Sequence, residues 1–276
     1  MKTSMKKELP NIIYGTAWKK DATTALVIEA VKSGFQAIDT ACQPKHYAEE
    51  KVGDALSLLY EQGFQRSELF LQTKFTPLAG QDPNKIPYDK NAPLKEQVAQ
   101  SFEISKKNLQ TEYVDSYVLH SPLFPSSHLL QVWEAMEDIY KRSEALNLGI
   151  SNCYDLQVLK KLYKSSEIKP HFIQNRFYAD SDYDKELRLW CDTKNIRYQS
   201  FWSLTANLHL LADETIRKLA HKYKKTLEQI FFRFLTQIEI TPLTGTSSLE
   251  HMSDDLHIFD FELSMDEIEN INNLLE

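Results

Sequence analysis

Asp39, Lys74, His120, Ser151, Asn152 and Gln174 each stand at or just beyond the end of a short apolar run. Charged side chains are rarely buried without a partner. An aspartate and a lysine that each close an apolar segment are therefore expected to meet and hold each other. Such a desolvated pair is costly unless further hydrogen bonds support it. The lysine is suited either to electrostatic support of a neighbouring group or, in a different chemistry, to Schiff-base formation with a carbonyl. Any one of these residues alone is more often structural. Their co-occurrence at corresponding positions is what points to a site.

Those positions require strands to carry them. Alternating apolar runs and amphipathic stretches predict strands at 12–15, 35–39, 69–74, 114–119, 146–150, 172–175, 197–201 and 238–243. Helices are predicted at 22–33, 48–61, 94–109, 129–140, 156–164, 185–193, 214–221 and 227–236. This alternation makes parallel βαβ units, and runs that are apolar almost throughout fit strands covered on both faces. A doubly wound open sheet would want a glycine-rich first turn, but the seven glycines form no Gly-x-Gly-x-x-Gly. The expectation is a (β/α)₈ TIM barrel in one domain over residues 1–276. Its active face is the C-terminal end of the strands, where the polar residues fall. Ser247 and Glu250 read as a capping box opening a helix after the eighth strand. Asp213 is placed to cap a helix at Glu214, and Ser264 precedes a last helix at 265–275 with Ile268, Ile271 and Leu275 on one stripe. The loop at 77–93 follows strand three on the active face. It reads equally as a lid, a pocket wall or a plain surface excursion.

Composition excludes several classes. Net charge is −7 with no basic stripe, so a nucleic-acid partner is not expected. No apolar stretch approaches the roughly 20 residues needed to cross a bilayer. The lysine-bearing N-terminus lacks the apolar run of a signal peptide. The three cysteines, Cys42, Cys153 and Cys191, are far apart and form no Cys-x-x-Cys, which suits reduced thiols and a cytoplasmic location. The eight histidines show no metal-ligand spacing, and no phosphate-binding Walker loop is present.

The motifs go further. Phe-Gln-Ala-Ile-Asp-Thr-Ala at 35–41, followed by Tyr47 and by Glu-Lys-Val-Gly at 50–53, resembles the signature of the aldo-keto reductase family. So do Leu-Phe-Leu-Gln-Thr-Lys at 69–74, Val-Asp-Ser-Tyr-Val-Leu-His at 114–120 and Leu-Gly-Ile-Ser-Asn at 148–152. The resemblance runs from about Gly15 to about Leu263. It implies a (β/α)₈ barrel, reduction of carbonyls by NADPH or NADH, and a catalytic quartet of Asp39, Tyr47, Lys74 and His120. Hydride attack on a carbonyl builds negative charge on oxygen, so a proton donor is needed. Tyr47 would supply it, Lys74 would stabilise the phenolate, Asp39 would hold the lysine, and His120 would orient and polarise the carbonyl. In most of the family the tyrosine follows the aspartate more closely. Here a small insertion intervenes, and His46 is the alternative donor. The family's N-terminal β-hairpin and long C-terminal loop are both expected to be shortened.

The resemblance also implies a cofactor site. Thr16 belongs to it, and Ser151, Asn152 and Gln174 match the triad that holds the nicotinamide carboxamide. Trp202 takes the place of the family's stacking tyrosine. Ser203 and Leu204 would line the pyrophosphate, with Leu208, Leu210 and Leu211 in a loop over it. After strand eight, Gly245, Thr246, Ser247 and His251 occupy the region where NADP-preferring relatives place a lysine and an arginine on the 2′-phosphate. Asp254 and Asp255 fall at the adenine. Without the basic pair, NADP preference is expected to be weak unless Arg176 or Arg197 supplies a charge. Trp18, Phe75, Ser121, Leu123 and Phe124 are the expected substrate-pocket residues, around a small-molecule carbonyl, in a monomer or weak dimer without a metal. Two other classes remain open: a regulatory cofactor-binding subunit on the same fold, and an unrelated barrel enzyme using Lys74 as a Schiff base.

Overall fold

A computed structural model describes residues 9–275. Eight parallel strands close into a barrel in chain order: β1 Ile13–Gly15, β2 Ala37–Asp39, β3 Phe70–Phe75, β4 Ser116–Leu119, β5 Leu148–Ser151, β6 Phe172–Arg176, β7 Arg197–Phe201 and β8 Ile240–Thr244. Eleven α-helices accompany them among the described residues: α1 Thr23–Ser33, α2 Glu49–Glu61, α3 Leu94–Leu109, α4 Ser126–Lys141, α5 Leu156–Ser165, α6 Lys185–Asp192, α7 Leu208–Leu211, α8 Glu214–Tyr223, α9 Leu227–Gln237, α10 Leu249–Leu256 and α11 Met265–Asn272. The expected (β/α)₈ barrel is the observed one.

The pleat decides what faces inward. Ile13, Ala37 and Phe70 form a small apolar cluster with Leu9 and Leu243 in the lower barrel. Gln72, Gln174 and Gln199 are joined above it by amide hydrogen bonds of 2.9–3.2 Å. Asp39 and Lys74 follow, still inside. The intervening residues, among them Tyr14, Ile38, Leu71, Phe75, Ile173 and Tyr198, turn outward into the large core between barrel and helices. The barrel is thus filled in layers, apolar below and polar above, and the polar layer is the floor of the site.

Several element ends differ from expectation. Ile238 caps α9, and Glu239 turns the chain through a left-handed conformation before β8 begins at Ile240. The apolar run at 238–243 crosses a helix end, which periodicity does not register. Val114 makes only an isolated bridge to Ala145, ahead of β4. Helix α4 starts at Ser126, three residues early. The N-cap of α10 is Ser248, whose hydroxyl accepts from the His251 amide at 3.3 Å; the expected Ser247–Glu250 box is not formed. Asp213 does cap α8, accepting from the Thr215 amide. Ser264 opens α11 through a box with Glu267. The 208–211 leucines form a short helix with Leu210 and Leu211 buried.

The 77–93 loop is tied down. Gln81 donates to the carbonyls of Cys42 and Thr76, Tyr88 donates to that of Thr76, and the Tyr88 ring lies against Phe75. The expected shortening of the N-terminal hairpin concerns residues 1–8, which lie outside the described ones. No helix among the described residues is long and apolar enough to cross a membrane.

Candidate active site

A cavity of about 1010 Å³ opens at the C-terminal ends of the strands. Asp39 lies on its floor, backed by buried Lys74. Lys74 Nζ donates to Asp39 Oδ2 at 2.6 Å and to the Thr40 carbonyl at 2.8 Å. Asp39 Oδ1 accepts from Gln72 at 2.7 Å and from Gln174 at 3.3 Å. These bonds satisfy a buried ion pair that would otherwise be expensive. Burial pushes the Lys74 ammonium below its ordinary value, and the Asp39 carboxylate opposes that shift.

Tyr47 arrives from the loop before α2. Lys74 Nζ lies 5.1 Å from its ring centroid, and the His120 ring meets it edge-on at 6.0 Å. Its hydroxyl has no hydrogen-bond partner among the described residues, and the residue lines the cavity. Burial, then the Asp39 charge, raises the phenol above its ordinary value, so the proton stays on. The loop is fixed from behind by Glu49, a buried carboxylate two residues on. Glu49 accepts from Thr73, from Ser105 at 2.9 Å and from Asn108 at 3.0 Å. Thr73 precedes Lys74, so Glu49 ties the tyrosine loop to the strand that carries the lysine.

His120 follows β4. Its Nδ1 lies 2.6 Å from the Thr76 hydroxyl, and its carbonyl accepts from Asn152. Burial, then the Lys74 charge, holds the imidazole well below its ordinary value. The ring is neutral, and a Thr76 hydroxyl that donates to Nδ1 would leave the ring proton on Nε2.

Ser151, Asn152 and Gln174 line the same wall. Gln174 spends its amide N–H groups on Asp39 and Gln199, leaving Oε1 unpaired among the described residues. Asn152, Trp202 and Trp18 all adopt left-handed backbone conformations, φ 53°, 57° and 65°. Such residues cost of order 1–3 kcal/mol each, and here they turn the chain over the cavity just beyond β5, β7 and β1. Trp202 is 50% exposed and presents its indole to the cavity. Trp18 stacks on His46 at 3.8 Å, so the β1 and β2 loops close together over the floor.

The β8 side has a different character. Gly245, Thr246, His251, Asp254 and Asp255 line it as expected, and Ser203 and Leu204 line the neighbouring wall. Thr244 donates to Asp255 at 2.6 Å, and burial lifts that carboxyl to about 6. Glu228 and Glu250 join the wall, and Lys19 reaches across to donate to the Gly245 carbonyl. These three were not anticipated. Lys19 comes from a loop whose course no periodicity describes, Glu228 from the first turn of α9, and Glu250 is released by the one-residue shift of the α10 cap. Arg176 also lines the cavity, but beside Trp202. Arg197 begins β7, at the opposite end of the barrel.

Some expected residues are not brought to the wall. Phe75 is fully buried and turns outward, because it alternates with inward-facing Lys74. Thr16 is buried below the cavity, its hydroxyl donating to the Asp39 carbonyl at 2.9 Å. Ser247 is displaced by the cap shift. Ser121, Leu123 and Phe124 lie in the connection to α4 and do not line the cavity; Leu123 packs on the core and Phe124 is 70% exposed. Of the five expected substrate-pocket residues, Trp18 lines the cavity.

Comparison with known proteins gives a consistent picture. The Aldo/keto reductase family model matches residues 11–276. Glyoxal reductase of Bacillus subtilis is 30% identical over 251 residues, covering 91% of this chain and 83% of that protein. NADPH-dependent alpha-keto amide reductase of Saccharomyces cerevisiae is 28% identical, covering 94% and 84%. The crystal structure of MGS-M4, an aldo-keto reductase from a Medee basin deep-sea metagenome library, matches with a TM-score of 0.83 at 27% identity, over 98% of this chain and 94% of that one. The chain therefore belongs to the aldo/keto reductase family and is an oxidoreductase that reduces carbonyl groups with NAD(P)H.

Proposed function

We propose that this barrel acts as a single domain, a cytoplasmic monomer or weak dimer, reducing a small aldehyde or ketone with Tyr47 as proton donor. The observation that carries the reading is the convergence of Tyr47, Asp39 and neutral His120 on one cavity wall, with buried Lys74 bonded to Asp39 and facing the Tyr47 ring. The residues present fit a nicotinamide dinucleotide: an unpaired amide oxygen on Gln174, a half-exposed indole face on Trp202, and a wall that continues to the start of α10. Ser151, Asn152 and Gln174 would hold the carboxamide and Trp202 the ring. Ser203, Leu204 and Lys19 would line the phosphates, and Gly245, Thr246, His251, Asp254 and Asp255 the adenosine. When bound there, the nicotinamide would supply a hydride to the carbonyl carbon.

The protein's own part is proton delivery and orientation. His120 donates from Nε2 to the carbonyl oxygen and aligns it. Tyr47 gives its phenolic proton to that oxygen as negative charge builds. The Lys74 ammonium lowers the cost of the phenolate left behind, and Asp39 keeps the ammonium in place. A positioned general acid of this kind contributes about 10²–10⁴-fold.

Cofactor choice is read from charge. Glu228, Glu250, Asp254 and Asp255 line the β8 side, with Lys19 and His251 as the basic side chains on that wall among the described residues. Four carboxylates against one ammonium disfavour a 2′-phosphate, so NADH is expected to serve as well as NADPH. The test is to mix the purified protein with NADPH or NADH and an activated aldehyde and to follow cofactor absorbance. Oxidation of the cofactor is expected. Binding without turnover would point to a regulatory subunit, and no binding would overturn the reading.

A further inference from the structure

Arg176 ends β6, two residues beyond Gln174 and on the same inward face, and lines the cavity. Its guanidinium lies over two rings, 4.1 Å from the Trp202 centroid and 5.1 Å from that of Tyr178. Stacking occupies the flat face of the group and leaves the N–H edge available for bidentate bonding to a carboxylate. Its Nε is buried without a hydrogen-bond partner, and no carboxylate pairs with the group among the described residues. Lys74, Arg66 and Lys106, by contrast, each pair with a carboxylate: Lys74 with Asp39, Arg66 with Asp115, Lys106 with Glu103 and Glu144. A desolvated cation left without an anion is costly, and a ligand anion would relieve that cost.

The source of the anion follows from position. Lys19, which would line the dinucleotide phosphates, bonds Gly245 on the β8 side, whereas Arg176 rises above Gln174 beside Trp202. We propose that Arg176 selects carbonyl substrates carrying a carboxylate, gripping its oxygens while the carbonyl reaches Tyr47 and His120. This rests on the carbonyl-reductase reading given above.

The experiment compares kcat/KM for 4-carboxybenzaldehyde and 4-oxobutanoate with that for the methyl ester of each, in the wild type and in Arg176→Met, Arg176→Gln and Arg176→Lys. Comparing ratios between variants cancels the intrinsic reactivity of each aldehyde. The acid-to-ester ratio is expected to fall by about 10- to 100-fold in Arg176→Met and Arg176→Gln, mainly through KM, with Arg176→Lys intermediate. Dissociation constants for NADPH and NADH, from fluorescence quenching, are expected to move less than about threefold. An unchanged ratio in folded Met and Gln variants would overturn the proposal. So would a tenfold loss of cofactor affinity with the ratio intact, which would assign the guanidinium to a cofactor phosphate. A wild type that reduces neither acid nor ester would overturn the reductase reading, and the proposal with it.

Discussion

The two sides of the cavity are built on different principles. On the β2–β6 side the Asp39–Lys74 pair is buried, matched and held by rigid strand, and Tyr47 is brought to it on a braced loop: Asp39 has three donors, Lys74 two acceptors, and Glu49 secures the tyrosine loop from behind. On the β8 side the charges are Lys19, Glu228, Glu250, His251, Asp254 and Asp255, carried on the loop after β1, the first turn of α9 and α10, with Glu228, Glu250 and His251 exposed. The first side tolerates almost no change in residue type, because a proton donor needs its partners at fixed positions. The second presents a charge balance, which is tuned by degrees.

Breaking the first side should give the largest effects. Tyr47→Phe is expected to lower kcat by about 10²–10⁴-fold while cofactor binding persists. Full turnover in that variant, measured in a steady-state assay, would transfer the donor role to His46, which lies on the same wall. Lys74→Met should abolish most activity and, by leaving Asp39 buried and unpaired, destabilise the fold by about 3–5 kcal/mol. Urea unfolding of Lys74→Met, Asp39→Asn and the double variant separates the two consequences: the double variant should recover stability and remain inactive.

On the second side the changes are smaller. Glu250→Lys should improve NADPH affinity over NADH by about tenfold, since one carboxylate is replaced by an ammonium at the adenosine end. No change in the ratio of the two dissociation constants would place the phosphate elsewhere. The wild-type ratio should itself shift toward NADPH by about three- to tenfold between pH 8 and pH 5. Asp255 loses its charge as pH falls through about 6, which removes one carboxylate from that wall. The same group sets a stability trend. Its folded pKa lies above the ordinary carboxylate value, so its contribution is present below about 4 and is lost as pH rises through about 6. Asp255→Asn should therefore stabilise the protein at pH 8 and have little effect near pH 4.

This contrast also explains what was legible in the sequence. Asp39, Lys74, His120 and Gln174 could be read because strands end in predictable places and chemistry there demands particular residue types. The glycines of the motifs have equally local reasons. A Cβ on Gly53 would fall 1.9 Å from the Asn108 carbonyl, where α2 crosses α3, and one on Gly149 would meet the Phe172 ring that fills the barrel. Phe75 was misplaced through a single step of strand alternation, and Ser247 through a single step in a helix cap. Lys19, Glu228 and Glu250 were missed because loops and helix ends bring them together from three separate segments, and nothing in their own neighbourhoods records that meeting. Arg176 was visible only as a spare charge; its stacking on Trp202 depends on how β6 and β7 pair, Arg176 beside Phe201.

The seam where β1 meets β8 has a consequence for assembly of the molecule. Ile13 pairs with Leu243, the Tyr14 hydroxyl donates to the Thr246 carbonyl 232 residues away, and Lys19 donates to Gly245. Every other strand neighbour is reached by a short excursion, whereas this closure joins the first strand to the last and carries the largest loop entropy in the barrel. It is the natural place for the cylinder to gape. A dinucleotide lying along Lys19, Gly245 and Thr246 would bridge both lips of that opening. Its binding energy would then act as a fastener on the ring, raising thermal stability with ligand concentration and slowing amide exchange first in β1 and β8.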